Sequence, residues 1–442
     1  VRSVYNAGFD KPHYYSFYQY YGQLNSFASR SRVDHSACRR RVSAVYSKSY
    51  LFGSQPLRVV TEKILLDRLY PRLARDAQAS EPTELLRLSY ALSLDLLNCF
   101  IFGLSSGPNF TQDDLLTQAF LEHYENRYCH EGFWSQELPF LTSTLGMLGI
   151  DMLPRQHYDS TAWIENWMMI HCNRAQRVCE LLDKGELPDD PADIPIVYQQ
   201  IRKSMEALKA GEGHDRAYAE KQTRLSIASE LFDHMWLVLA YTIYYIASHP
   251  AEQSQLRSEL KKLDQPITFP GNSYTDGVQP GRLASPQSLV QLTYLTAVIK
   301  ESLRMRPNST PLPRVTPSDH SVTIVGVEAI PPSTRVNCFQ WFLHRDPEMW
   351  SRPDEWIPER WLREDGSEKD KMPPLWAFAS GPRMCIGVHL TYYLFRYILA
   401  VIFSNFSARI VRPEVYGQHP PGSLEDELFV VFEPLSKSDC TE

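Results

Sequence analysis

The stretch Phe378-Ala379-Ser380-Gly381-Pro382-Arg383-Met384-Cys385-Ile386-Gly387 decides how this chain is read. It sets one cysteine in a loop with two glycines, a proline and an arginine. An apolar segment, Val388 to Phe406, follows at once and predicts a helix. Cys385 is therefore placed where a loop enters a helix N-terminus. Unpaired N–H groups and a partial positive charge at that end stabilise a thiolate. Arg383 adds a second positive charge close by. A thiolate held this way serves as a nucleophile or a metal ligand. Taken alone, a cysteine beside a turn is more often an ordinary buried thiol, so the rest of the chain must decide.

Working outward, the chain has 442 residues, 43% hydrophobic and 22% charged, which suits a large globular core. A single domain over residues 1–442 is expected, since large helical enzymes often run this long as one unit. The formal net charge of -7 argues against nucleic-acid binding, with one local basic patch at Arg30, Arg32, Arg39, Arg40 and Arg41. The eight cysteines are scattered, with no CxxC pair, which excludes a disulfide scaffold and a zinc ribbon. Reduced thiols facing a cytosolic compartment are the simplest reading.

No segment reads as a transmembrane helix. The best apolar run, Met235 to Ala247, is too short to span a bilayer, and Val388 to Phe406 is interrupted by Arg396. No signal peptide is seen. The chain opens on Val1, and Val1-Arg2-Ser3-Val4-Tyr5 reads as the middle of an element, so upstream sequence is expected.

Apolar periodicity predicts helices over His35–Leu51, Leu57–Arg75, Pro82–Phe102, Gln112–Glu137, Asn166–Leu182, Gln222–Ser248, Ala251–Leu263 and Leu289–Met305. Leu138–Pro154, Asp183–Pro195 and Gln265–Pro286 carry Pro, Gly or acidic residues and read as connecting chain. Short β signals lie at Val322–Val325, Thr334–Val336 and Phe429–Phe432. The fold class is thus mainly α with a small β portion toward the C-terminal third.

Glu301 and Arg304 share one face of the helix 289–305. Alone they read as a surface pair worth a few tenths of a kcal/mol. The segment Pro353-Asp354-Glu355-Trp356-Ile357-Pro358-Glu359-Arg360-Trp361 offers a second arginine, Arg360, that would join them in a buried charge network. Buried ions persist only when paired in this way.

The cysteine loop, Glu-x-x-Arg and Pro-Glu-Arg-Trp, in this order, resemble the haem-binding half of a cytochrome P450. The pattern Phe-x-x-Gly-x-Arg-x-Cys-x-Gly is met at Phe378, Gly381, Arg383, Cys385 and Gly387. Pro311-Leu312-Pro313-Arg314 and Leu343-His344-Arg345-Asp346-Pro347 are similar to family segments, and His35 to Arg41 with Tyr46-Ser47-Lys48-Ser49 looks like the fungal branch. The resemblance implies a cytochrome P450-like fold, incomplete at its N-terminus, with the family's anchor and first strands absent.

It also implies the site. Cys385 would be the axial ligand of a haem b iron, its thiolate favouring O–O cleavage. Gly381 and Gly387 would let backbone approach haem and sulfur, and N–H groups aimed at sulfur would tune the redox potential. Phe378 would cover the proximal side. Arg383, Arg314, Arg39 and His35 would meet the haem propionates; many relatives have a tryptophan where His35 stands. Glu301, Arg304 and Arg360 would be structural. Electrons would come from NADPH through a reductase, docking partly on the basic patch. The substrate would be a small apolar organic molecule of fungal secondary metabolism. A full-length member would lie on the cytosolic face of the endoplasmic reticulum membrane.

One departure stands out. The family's central helix usually carries Ala-Gly-x-Asp/Glu-Thr-Thr, whose acid and hydroxyl deliver protons to bound oxygen. Here Ser229-Glu230-Leu231-Phe232-Asp233-His234-Met235 runs directly into Trp236-Leu237-Val238. In one reading the helix is ungapped from His249-Pro250, and Asp233 and His234 take the catalytic positions. In the other, which both flanks favour, about two helical turns are missing. The expected function is monooxygenation; the alternative is a haem-binding member whose activity is impaired or different because that motif is absent.

Overall fold

In the computed structural model, residues 1–22, 25–128, 133–209, 235–263, 267, 283–308, 312–411 and 428–435 are described. The N-terminal half is a run of helices. They are α1 (Arg32–Val42), α2 (Lys48–Gly53), α3 (Gln55–Lys63), α4 (Tyr70–Ala79), α5 (Leu85–Phe102), α6 (Asp114–Tyr128), α7 (Phe133–Glu137), α8 (Pro139–Met147), α9 (Arg155–Asp183) and α10 (Ile196–Lys209). Then come α11 (Met235–Ser248), α12 (Pro250–Leu260), α13 (Pro286–Gln291), α14 (Thr293–Met305), α15 (Gln340–Leu343) and α16 (Val388–Asn405).

The strands are short. β1 (Thr83–Glu84), β6 (Phe406–Ile410) and β7 (Phe429–Pro434) form an antiparallel sheet in the order β1-β7-β6, with Ala408 opposite Phe432. β2 (Arg314–Val315) pairs with β5 (Arg335–Val336), and β3 (Val322–Ile324) pairs with β4 (Val327–Ile330). The expectation of a mainly α chain with a minor β portion holds.

The core is built on α5, which is buried from Leu88 through Phe102. It is long and apolar enough to cross a membrane, yet 89% of it is buried inside the protein, so it serves here as the core helix. The sequence pattern had pointed to Met235–Ala247 as the most apolar run; that segment is α11, which packs along α5. Each large apolar side chain buried between such helices contributes about 1.5–3 kcal/mol. Asp95, the one acid on α5, is buried but not alone. It accepts hydrogen bonds from the N–H groups of Phe110 (2.6 Å) and Thr111 (3.0 Å) and lies 3.1 Å from Arg68.

Local chemistry explains where elements differ from the sequence pattern. The expected helix His35–Leu51 is two helices, because Ser31 caps α1 through the Asp34 N–H and Ser47 caps α2 through the Tyr50 N–H. The expected helix Leu57–Arg75 runs through α3, a π-helical turn at Ile64–Leu69, and α4. The Pro- and Gly-containing stretch 138–154 holds α8, with Pro139 in its first turn where no N–H is needed. α10 was missed because its apolar face begins inside what looked like acidic connecting chain. β6 was missed because Phe406 reads as the end of the apolar run of α16; there the chain turns extended and pairs with β7. Of Gln222–Ser248, only α11 falls within the described residues.

Candidate functional site

The sequence brings α1, α11, α14, α16 and the cysteine loop around one cavity of about 290 Å³. Val42, Leu97, Val238, Leu303, Leu390 and Phe395 supply apolar walls. Cys385 opens onto it, flanked by Phe378, Ile386 and Gly387. Lys11, His35, Arg39, Arg314 and Arg383 form its polar end, and no Asp or Glu is among the lining residues.

The loop carrying Cys385 is fixed by its own backbone. The Cys385 N–H donates to the Phe378 carbonyl (2.9 Å), and the Met384 N–H donates to the Gly381 carbonyl (3.1 Å). A 3-10 turn at Gly381–Arg383 follows Ser380, and α16 starts just after Gly387. Gly381 has φ +71, and a Cβ there would stand 2.5 Å from the Tyr5 carbonyl oxygen. The close approach that demands this glycine is therefore that of the N-terminal segment. A Cβ on Gly387 would meet the Cys385 sulfur at 3.7 Å, an ordinary contact.

Cys385 is accessible, because it faces the cavity, yet protein crowds it on its other sides. That crowding raises its thiol pKa; a hydrogen bond from the Gly387 backbone and the charge of Arg39 pull in the opposite direction. Burial wins, so the helix terminus does not by itself make a thiolate. A coordinated metal ion deprotonates a thiol outright, and thiolate character here follows from what fills the cavity.

At the polar end, His35 and Arg39 lie one turn apart on α1. The Arg39 Nη1 donates to the Met384 carbonyl (2.6 Å), which ties α1 to the cysteine loop. Arg383 donates from Nη1 to the Ser29 carbonyl (2.7 Å) and from Nη2 to the Arg30 carbonyl, with Asp10 at 3.4 Å. Arg314 donates to the Pro313 carbonyl (2.9 Å) and the Tyr15 hydroxyl (3.3 Å). These cations repel one another. Burial first, and Arg314 next, push the Arg383 pKa down to about 10. Burial, then Arg383, Lys11, Arg39 and Arg314, push His35 down to about 4, so it is neutral near pH 7. A lining with this charge and no acid suits an occupant bearing two carboxylates on a broad apolar body, with a metal within reach of sulfur. The residues present fit the haem that the resemblance implies.

Glu301 and Arg304, both with fully buried side chains, are paired at 2.8 Å. Arg360 joins them at 2.8 Å. The Glu301 carboxylate also accepts from the Trp361 indole N–H (2.9 Å) and the Ile357 N–H (3.0 Å). Arg304 spends its remaining donors on the carbonyls of His344 (2.7 Å), Pro353 (2.6 Å) and Glu355 (2.9 Å). The network expected from sequence is thus brought together, buried, between α14 and the segment 344–361.

Asp233 and His234 lie outside the described residues. Lys11 and Gln340 line the cavity and were not legible, since neither stands in a recognisable motif; only the fold brings them there.

The family model described as Cytochrome P450 matches residues 232–422. Among curated proteins, the chain is 26% identical over 420 residues to the cytochrome P450 monooxygenase sdnE of Sordaria araneosa, covering 89% of this chain and 73% of that protein. It is 26% identical over 425 residues to the cytochrome P450 monooxygenase astD of Aspergillus oryzae, covering 90% and 71%. It is 28% identical over 346 residues to human cytochrome P450 3A5, covering 77% of this chain and 62% of that relative's length.

Glu301→Ala leaves two buried guanidinium groups without their carboxylate. A loss of about 3–5 kcal/mol in folding stability is expected, read by chemical denaturation; a loss below about 1 kcal/mol would show that the network is not a structural lock.

Proposed function

This chain belongs to the cytochrome P450 family, and from that premise we propose that it inserts one oxygen atom from O2 into an apolar organic substrate of fungal secondary metabolism. Its cofactor is haem b, and its electrons come from a reductase. The observation that carries the reading is Cys385 opening onto a cavity whose polar end is wholly basic. The bound haem supplies the iron chemistry: two electrons and two protons accompany O2, one oxygen atom enters the substrate, and the other leaves as water.

The chain's own residues hold and frame that group. Cys385 supplies the iron's axial sulfur. Arg383, Arg314 and Arg39 set the propionate side, where bidentate guanidinium donors match carboxylates. His35 accepts or shares a proton there, since a nearby anion raises an imidazole pKa that cations had lowered. Phe378, packed against Tyr392 with ring centroids 5.8 Å apart, closes the sulfur side. Val238 and Leu303 present apolar surface to the substrate side and keep water out. Asp233 and His234, just ahead of Met235 in sequence, are the candidates for moving protons toward oxygen. Residues 1–442 act as one domain, NADPH is the electron source through the reductase, and exposed Arg32 and Arg40 of α1 offer it a basic docking face.

The same reading places the protein against the cytosolic side of the endoplasmic reticulum membrane. Its support is the stretch Leu138–Ile150, which contains no charged residue. No residue of α8 is buried, and Phe140 (81%), Met147 (78%) and Leu148 (72%) stand out to solvent. Apolar surface this continuous marks an interaction site.

With haem, reductase, NADPH and 18O2, a converted substrate is expected to carry one labelled oxygen per molecule, and Cys385→Ala to abolish the product. NADPH consumption with unlabelled or no product across an apolar substrate panel would contradict monooxygenation while leaving haem binding intact. For the membrane, the protein is expected to float with phosphatidylcholine vesicles and Phe140→Glu with Leu148→Glu to reduce flotation at least tenfold; unchanged flotation would remove this face from the account.

A further inference from the structure

The loop that carries Cys385 begins near Trp376, and the backbone of Trp376 is gripped on both sides. Gln340 donates from Nε2 to the Trp376 carbonyl (3.0 Å) and toward the Ala377 carbonyl (3.4 Å). The Trp376 N–H donates to the His344 Nε2 (2.9 Å). Gln340 opens α15 and His344 caps its end, with the His344 N–H donating to the Gln340 carbonyl (2.9 Å). One helical turn therefore presents a donor and an acceptor, four residues apart on one face, to a single peptide unit. Both side chains are buried, Gln340 at 3% exposure and His344 at 0%.

The grip is connected in two directions. Behind it, the His344 carbonyl accepts from Arg304 (2.7 Å), so the clamp is bolted to the Glu301 network. Ahead of it, the Ala379 N–H donates to the Trp376 carbonyl (3.1 Å), the Trp376 indole donates to the Ser380 hydroxyl (3.0 Å), and the Cys385 N–H donates to Phe378 (2.9 Å). Trp376 also stacks edge-on to Tyr5, centroids 4.7 Å apart. A continuous path of hydrogen bonds and short chain segments thus runs from Glu301 to the sulfur-bearing residue.

We propose that Gln340 and His344 are positioning residues, a two-point clamp on the Trp376 peptide that transmits the rigidity of the Glu301–Arg304 network to the Cys385 loop. The clamp needs His344 to accept, so it needs a neutral imidazole. Burial, with Arg304 and Arg345 facing the ring, lowers its pKa to about 4 and secures that state. Its Nδ1 has no partner among the described residues, a cost of about 1–3 kcal/mol. A ring kept in place at that cost is held for what its other nitrogen does. The clamp itself is a property of the folded chain; its consequence for iron ligation rests on the haem-thiolate reading, and the test separates the two.

Amide hydrogen exchange of the ligand-free protein tests the clamp alone. His344→Leu and Gln340→Leu are each expected to speed exchange at Trp376–Cys385 at least tenfold while leaving α5 within twofold of the parent. His344→Gln, which keeps an acceptor at similar reach, is expected to retain protection. If His344→Leu leaves that loop within twofold of the parent, or speeds loop and α5 alike, the clamp is overturned. After haem loading, the reduced carbon monoxide complex of His344→Leu is expected to decay from its thiolate to its thiol spectrum at least tenfold faster than that of His344→Gln. Equal decay would overturn the link to ligation. A parent with no thiolate spectrum at all would instead reject the haem-thiolate reading and leave the exchange result standing.

Discussion

A single buried carboxylate organises the half of this protein that holds the site. Glu301 carries a negative charge with no solvent access, and it persists there because Arg304, Arg360, the Trp361 indole and a backbone N–H satisfy it together. Its two arginines then reach out to the carbonyls of residues 344, 351, 352, 353 and 355. Residues 344–361 contain little regular structure beyond one 3-10 turn, so these bonds replace the ladder that a helix or sheet would provide. Removing the carboxylate would leave the arginines as uncompensated buried charges, so the network is cooperative by construction.

The cavity follows the opposite electrostatic rule. There the charges share one sign, and the lining holds no acid to balance them. Some relief comes from backbone carbonyls, as Arg383 finds at Ser29 and Arg30, and some from burial that lowers the Arg383 and His35 pKa values. The remainder of the imbalance is relieved by an anionic occupant. The same logic governs Cys385, whose thiol pKa is raised by its surroundings. Charge partners inside the protein stabilise the fold, while the site is left to be completed by its cofactor.

Much of this was legible in the sequence, for a physical reason. The Cys385 loop and Glu301-x-x-Arg304 are local: the residues that act together are close in sequence, so spacing alone reveals them. Arg360 was legible because a charged residue amid Trp356 and Trp361 in a proline-punctuated segment has to find a partner. What stayed hidden depends on tertiary contact. Gln340 and His344 meet Trp376 only after the chain has turned back on itself, and Lys11 reaches the cavity from an aromatic N-terminal stretch whose pattern points to packing. Gly381 was tied to haem by analogy, whereas in the fold its missing side chain makes room for Tyr5. The helicity of α8 was masked by its proline and glycines, and its exposure is a property no periodicity reports. The oxygen-handling side, at Asp233 and His234, lies outside the described residues.

The central claim is that Cys385 and the basic end of the cavity together hold a haem by its iron and its propionates. Titrating the ligand-free protein with haem and recording the reduced, carbon monoxide-bound spectrum tests it most directly. One haem per chain is predicted, with the red-shifted Soret band of thiolate ligation, lost in Cys385→Ala and retained with weakened haem affinity in Arg314→Ala. A Soret band of unligated or imidazole-ligated haem, or one that survives Cys385→Ala unchanged, would contradict the account.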